Sequence, residues 1–258
     1  MTTSLTTRAF PPLTLAMLAI AQLASSFYAR LTGHGQNIEA IAGRGGMRPP
    51  EVPAGYAFSI WMVIFVLALA YGLYYATKGK DHELCRKVSI PAAILFLCSS
   101  LWMLTAQTIG DGWHLVTLIV IMWAASTRVL LTVCHDTASD KPRRYILQPL
   151  FGLYTGWLTA ALFLNITGTF AKEVGMLGLS LNMYAMLTLV PAGILALALV
   201  RRTKGEPFMF GAFMWALAGI MAANVATNPV NMPIIGVCGA LCAVLIVFFM
   251  QAKAQKTA

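Results

Sequence analysis

Residues 152–168 read GLYTGWLTAALFLNITG. The segment carries no charge and is apolar enough to lie in lipid. Yet it holds Tyr154, with Trp157 three residues on and Asn165 eight after Trp157. At 3.6 residues per turn these positions, with Ala161 between them, fall along one stripe of a helix. What such a stripe meets inside a membrane is the question the sequence poses.

The rest of the chain places that helix among others of its kind. Of 258 residues, 59% are hydrophobic and 10% charged, against about 25% charged in soluble domains. A water-soluble globule of this size would lack polar surface, so the composition specifies an all-α polytopic transmembrane helix bundle. Taking about 20 apolar residues per crossing gives eight spans, near 11–30, 53–76, 88–108, 113–134, 145–169, 175–200, 207–227 and 232–250. Only IGDG (109–112) parts the third from the fourth, and TNPVNMP (227–233) parts the seventh from the eighth. The apolar run after Arg8 is read as a retained first helix, not a cleaved signal.

The net charge of +9 sits in the short breaks between spans, which argues for orientation signals and against nucleic-acid binding. Thirteen basic residues fall at the two termini and in the second, fourth and sixth loops; Arg30, Arg44, Arg48 and Lys172 fall on the other side. The positive-inside rule then puts both termini in the cytoplasm, as expected in a bacterial inner membrane. Arg128 is the one basic residue inside a span. Two readings stand: a stem that snorkels to the headgroups, or a buried charge that meets a ligand carboxylate.

Depth can then be read along each span. Gln107, Asn165, Asn182, Tyr184 and Asn224 all fall toward the side of the long first loop, 31–52. Trp102 and Trp157 lie deeper. The pattern suggests an outer-leaflet cavity walled by aromatics and tipped with neutral amides, with the loop as a lid. The competing reading has each amide bonding a neighbouring helix and the loop as a plain connector. Gly152 and Gly156 form a GxxxG that lets another helix approach closely.

Catalytic and metal sites are not indicated. No carboxylate lies within a span, the four histidines are isolated, and the five cysteines form no CxxC. Cys85, Cys98, Cys134, Cys238 and Cys242 read as small apolar packing residues. The chain is therefore expected not to be an enzyme. A transporter of a small amphipathic metabolite is the alternative to a binding protein, with Pro91 and Pro191 as candidate helix breaks.

Three stretches resemble the TspO/MBR family, the tryptophan-rich sensory or translocator proteins. The Tyr154, Trp157, Ala161, Asn165 stripe is similar to the family's fifth-helix signature. PPEVPAGYAFSIW (49–61) resembles its proline-rich loop and second helix, and SSLW (99–102) its third-helix Asn-x-x-Trp. Ser99 stands where that motif has Asn, and Leu153 where the family has Pro. The resemblance covers about residues 11–170, which suggests a five-helix ligand-binding unit over 1–170 and three additional helices over 171–258. It implies binding of a planar hydrophobic, porphyrin- or haem-like molecule by Trp61, Trp102, Tyr154, Trp157, Ala161 and Asn165, to which the depth pattern adds Gln107. No cofactor is required on this reading. The partners expected are a hydrophobic small molecule and membrane lipids, with a homodimer left open.

Overall fold

The computed structural model describes residues 9–36, 48–136, 140–173, 175 and 177–257. Residues 37–47 of the first loop, and with them Arg44, lie outside that set. Seven of the helices are long and apolar enough to cross a membrane, and one shorter apolar helix precedes them. The helices are α1 (Pro12–Ser26), α2 (Tyr28–Thr32), α3 (Ile60–Thr77), α4 (Glu83–Thr108), α5 (Trp113–His135), α6 (Gln148–Glu173), α7 (Leu181–Arg202), α8 (Pro207–Val225) and α9 (Met232–Thr257). A 3₁₀ turn, Gly55–Ser59, leads into α3, and a π turn, Arg143–Leu147, leads into α6.

Local chemistry sets the boundaries. His82 caps α4, its Nδ1 accepting from the Cys85 N–H. The third span thus begins five residues before its purely apolar part, because a polar first turn does not register in a count of apolar residues. The sixth span starts at Leu181 and not at 175, since Gly175, Leu177 and Gly178 have left-handed φ and Ser180 then caps the helix through Met183 N–H. Glu206 caps α8 in the same manner, with Pro207 in the first helical turn. Pro91 and Pro191 break neither α4 nor α7, which run through them unbroken.

The first span has two pieces. The ladder of α1 fails at Phe27 and resumes in α2, and the inserted group is the side chain of Gln107. Its Oε1 accepts from Ala29 N–H at 3.0 Å, and its Nε2 donates to the Ser25 carbonyl at 2.8 Å. Those are the two backbone groups that would bond each other, four apart, in a continuous helix.

α6 is the hub. It packs on α5, α7 and α8, and more lightly on α3, while α1 packs on α3 and α4. α9 touches α7 and α8 at the periphery and is the least buried span. The GxxxG of α6 faces α8: a Cβ on Gly156 would collide with the Met209 carbonyl oxygen, and one on Gly152 would lie 2.7 Å from Phe208 Cβ. The apolar core runs without a break from Leu15 on α1 to Leu245 on α9, across residue 170. Large apolar side chains also cover the outside, Met17, Val66, Leu97 and Ile194 among them, as suits a surface solvated by lipid.

The two ends of the bundle differ. One bears the basic connections, where His82 Nε2 meets Asp140 Oδ2 at 2.7 Å and Arg143 N–H donates to Asp140 Oδ1. The other bears the first loop. Arg128 is exposed on the outside of α5, about two turns from the basic end, and so follows the snorkelling reading.

Candidate functional site

Toward the loop end, a cleft opens between α6 and the helices around it. Its free volume is about 70 Å³. Trp61, Trp102 and Trp157 wall it on one side, with Ala160, Ala161 and Asn165 of α6 beside them. Sequence reasoning had pointed to five of these six, and the structure brings those five together. How each is held follows from its neighbours.

Trp61 is the centre of an aromatic cluster. It stacks on Phe65 (ring centroids 5.4 Å apart) and on Trp102 (6.4 Å), and meets Tyr154 and Trp157 edge-on at 5.9 and 6.3 Å. Phe58, from the turn before α3, packs edge-on against Trp157 at 5.7 Å. Such geometries stabilise aromatic pairs by about 0.5–1.5 kcal/mol beyond area burial. The cluster packs the indoles against one another at the cleft wall.

The N–H groups of those indoles are not all used. Trp102 and Trp157 are 9% and 3% exposed, and neither Nε1 finds a partner among the described residues. Elsewhere in the chain the same group is satisfied: Trp123 Nε1 donates to Thr159 Oγ1 at 3.1 Å, and Trp215 Nε1 to the Ala57 carbonyl at 2.9 Å. A buried indole N–H ordinarily has an acceptor. Two without one, on one cleft wall, are donors available to an occupant.

Tyr154 and Gln107 are placed differently. Tyr154 is fully buried, with its hydroxyl 2.7 Å from Gln22 Oε1 and 2.9 Å from Ser99 Oγ. One proton serves one bond, so the phenol donates to the amide oxygen and accepts from the serine. This ties α6 to α1 and α4, and only the ring edge supports the indole cluster. Gln107 spends its amide on the break between α1 and α2. Asn224, Asn231 and Asn182 also make protein contacts: Asn224 Nδ2 donates to the Pro50 carbonyl at 2.7 Å, and Asn231 Nδ2 to Asn182 Oδ1 at 2.8 Å. Asn165 lines the cleft and donates to the Ala161 carbonyl of its own helix at 2.9 Å.

Two contributions escape a sequence reading. Glu51, from the proline-rich loop, is only 3% exposed and lines the cleft with Asp111. Its prolines, Pro49, Pro50 and Pro53, hold that segment against the bundle, with Ala54 N–H donating to the Gly219 carbonyl at 2.9 Å. The far wall is the second, built by α7 and α8 through residues such as Leu189, Ala192, Phe213 and Ala216. The only signal for it was the run of small residues in MWALAGIMAAN (214–224).

A family model described as TSPO-like protein matches residues 13–251. The chain belongs to the TSPO-like family. The match runs through all the spans. Membership of the TSPO-like family suggests a multi-pass membrane protein for hydrophobic ligands, in a family that is generally not enzymatic. No curated protein and no solved structure matches the chain.

Proposed function

We propose that this protein binds a planar hydrophobic ligand of the porphyrin class in the indole-walled cleft, for sensing, sequestration or transfer across a bacterial cytoplasmic membrane, with both termini cytoplasmic. The observation that carries the reading is the pair of buried, unbonded indole N–H groups on Trp102 and Trp157. A tetrapyrrole supplies what that wall lacks, a flat π-surface to stack on the rings and carboxylate oxygens to accept from the N–H groups. The charge asymmetry of the loops supports the orientation.

The cleft must widen to take such a ligand. Pockets for drug-sized molecules hold about 300–1,000 Å³, several times the free volume of about 70 Å³. Binding on this reading therefore parts the indoles or lifts the Pro49–Ser59 segment. The test is a protoporphyrin titration of the detergent-purified protein, followed by tryptophan quenching, with Trp157→Ala beside the wild type. Saturable quenching in the micromolar range that weakens at least about tenfold in the variant is expected. Linear quenching in both would overturn the reading, and proteoliposome flux would then test transport of another amphipathic solute.

A further inference from the structure

We infer that the cleft is a composite site: its occupant is gripped between the indoles and a second wall supplied by α7 and α8, and Ala216 sets the width of the slot. The inference rests on the binding reading above and names the part of the site that no family motif marks.

Three observations converge on it. First, the cleft is lined by alanines from three helices: Ala160 and Ala161 on α6, Ala192 on α7 and Ala216 on α8. Small side chains at these points of the lining leave room beside the indoles that a larger side chain would fill. Second, α8 is fixed to α6 at the basic end, where Gly152 and Gly156 admit Glu206, Phe208 and Met209 at contact distance. The separation of the two helices at the slot is therefore governed by what stands between them. Third, α8 also holds the roof. Asn224 Nδ2 bonds the Pro50 carbonyl, Trp215 Nε1 bonds the Ala57 carbonyl at 2.9 Å, and Gly219 carries Ala54 N–H. A Cβ at Gly219 would lie 2.8 Å from Ala57 Cβ and 3.0 Å from Pro53 Cβ, so the segment lies flat on the helix. One helix thus supplies both the second wall and the anchor of the cover.

Side-chain size at Ala216 is the handle. Ala216 is fully buried on the slot side of α8, and Ala218, two residues on, is exposed on its outer side. The experiment titrates protoporphyrin into full-length wild type, Ala216→Leu, Ala218→Leu and Trp157→Ala, with unfolding midpoints measured without ligand. The expected result is affinity at least about tenfold lower in Ala216→Leu and unchanged in Ala218→Leu. Unchanged affinity in both leucine variants, with loss in Trp157→Ala, would overturn the composite site and leave the binding reading intact.

A second readout needs no ligand. In a chain with its five cysteines replaced by alanine, Ala161→Cys is reacted with a small neutral maleimide. Adding Ala216→Leu is expected to slow labelling about tenfold, and adding Ala218→Leu to leave it unchanged. Equal rates would overturn the composite site even if protoporphyrin proves not to bind. Should Ala216→Leu fail to fold, Leu217→Ala enlarges the same wall; labelling at least threefold faster is expected, and an unchanged rate would overturn the proposal.

Discussion

The buried tyrosines toward the basic end and the buried tryptophans of the cleft wall treat their polar groups in opposite ways. The tyrosine hydroxyls are bonded. Tyr154 is bonded to Gln22 and Ser99, Tyr71 donates to the Cys85 carbonyl, and Tyr75 donates to the Phe10 carbonyl. Toward the loop end, Trp102 and Trp157 keep N–H groups with no acceptor among the described residues. Tyr154 and Trp157 sit on the same helix, less than one turn apart. The lesson is that a polar group at membrane depth is not itself a mark of function: a partnered one holds helices together, and an unpartnered one points to a site only where its residue lines a cleft.

The largest effect is expected from prying open the closed half. Gly156→Val drives a side chain into the Met209 carbonyl and should cost about 3 kcal/mol of stability. Gly211→Val, on an α8 position with open space, should leave the unfolding midpoint near that of wild type. Equal midpoints for the two would show that α6 and α8 do not pack through the GxxxG.

The comparison sharpens in a pair of conservative changes. Tyr154→Phe removes the hydroxyl from a buried network and should cost about 1–3 kcal/mol of stability, with ligand affinity within about twofold of wild type. Trp157→Phe removes a donor that bonds nothing among the described residues. It should cost about 1 kcal/mol of stability through the smaller ring's lost packing and lower ligand affinity about three- to tenfold. The reverse pattern in unfolding and titration curves would exchange the roles assigned to the two residues.

The smallest effect lies at the basic end. Burial alone would push the Asp140 carboxyl up, but the Arg143 N–H, the His82 hydrogen bond and the charges of both residues together bring it below the usual range. A depressed carboxylate stabilises the fold above its unfolded pKa, about 3.9, and that contribution is lost as the pH falls through the lower folded value. Unfolding midpoints should therefore drop more between about pH 5 and 3 in wild type than in Asp140→Asn. The difference should be small, since a half-exposed pair of this kind is screened by solvent and contributes about 1 kcal/mol or less. Parallel curves would remove the pair from the account.

The all-α bundle and its eight apolar segments were legible from hydropathy, because lipid imposes length and composition on every crossing. The stripe on α6 was legible for the same reason: Trp157, Ala161 and Asn165 share a helical face whatever the fold. What separates Tyr154 from Trp157 was not. The partners of Tyr154 lie 132 and 55 residues away, and nothing in the local pattern names them. Gln107 read as a cavity group because an amide near a span end looks alike whether it faces a ligand or a broken helix. The α8 wall stayed hidden because small residues signal close approach without saying to what. Glu51 was missed because a charge in a loop does not announce that its neighbouring prolines turn it inward.

The Gln107 side chain also narrows what this position can tolerate. It must offer an acceptor to Ala29 and a donor to Ser25 in one planar group of fixed reach, while the backbone carbonyl of the same residue receives Gln36 N–H at the root of the first loop. An ionised glutamate has no donor, asparagine is one carbon short, and leucine has neither function. One residue thus splices a rung into the first helix with its side chain and moors the loop beyond it with its backbone. An exchange there would leave Ala29 N–H and the Ser25 carbonyl unmatched where the first helix breaks.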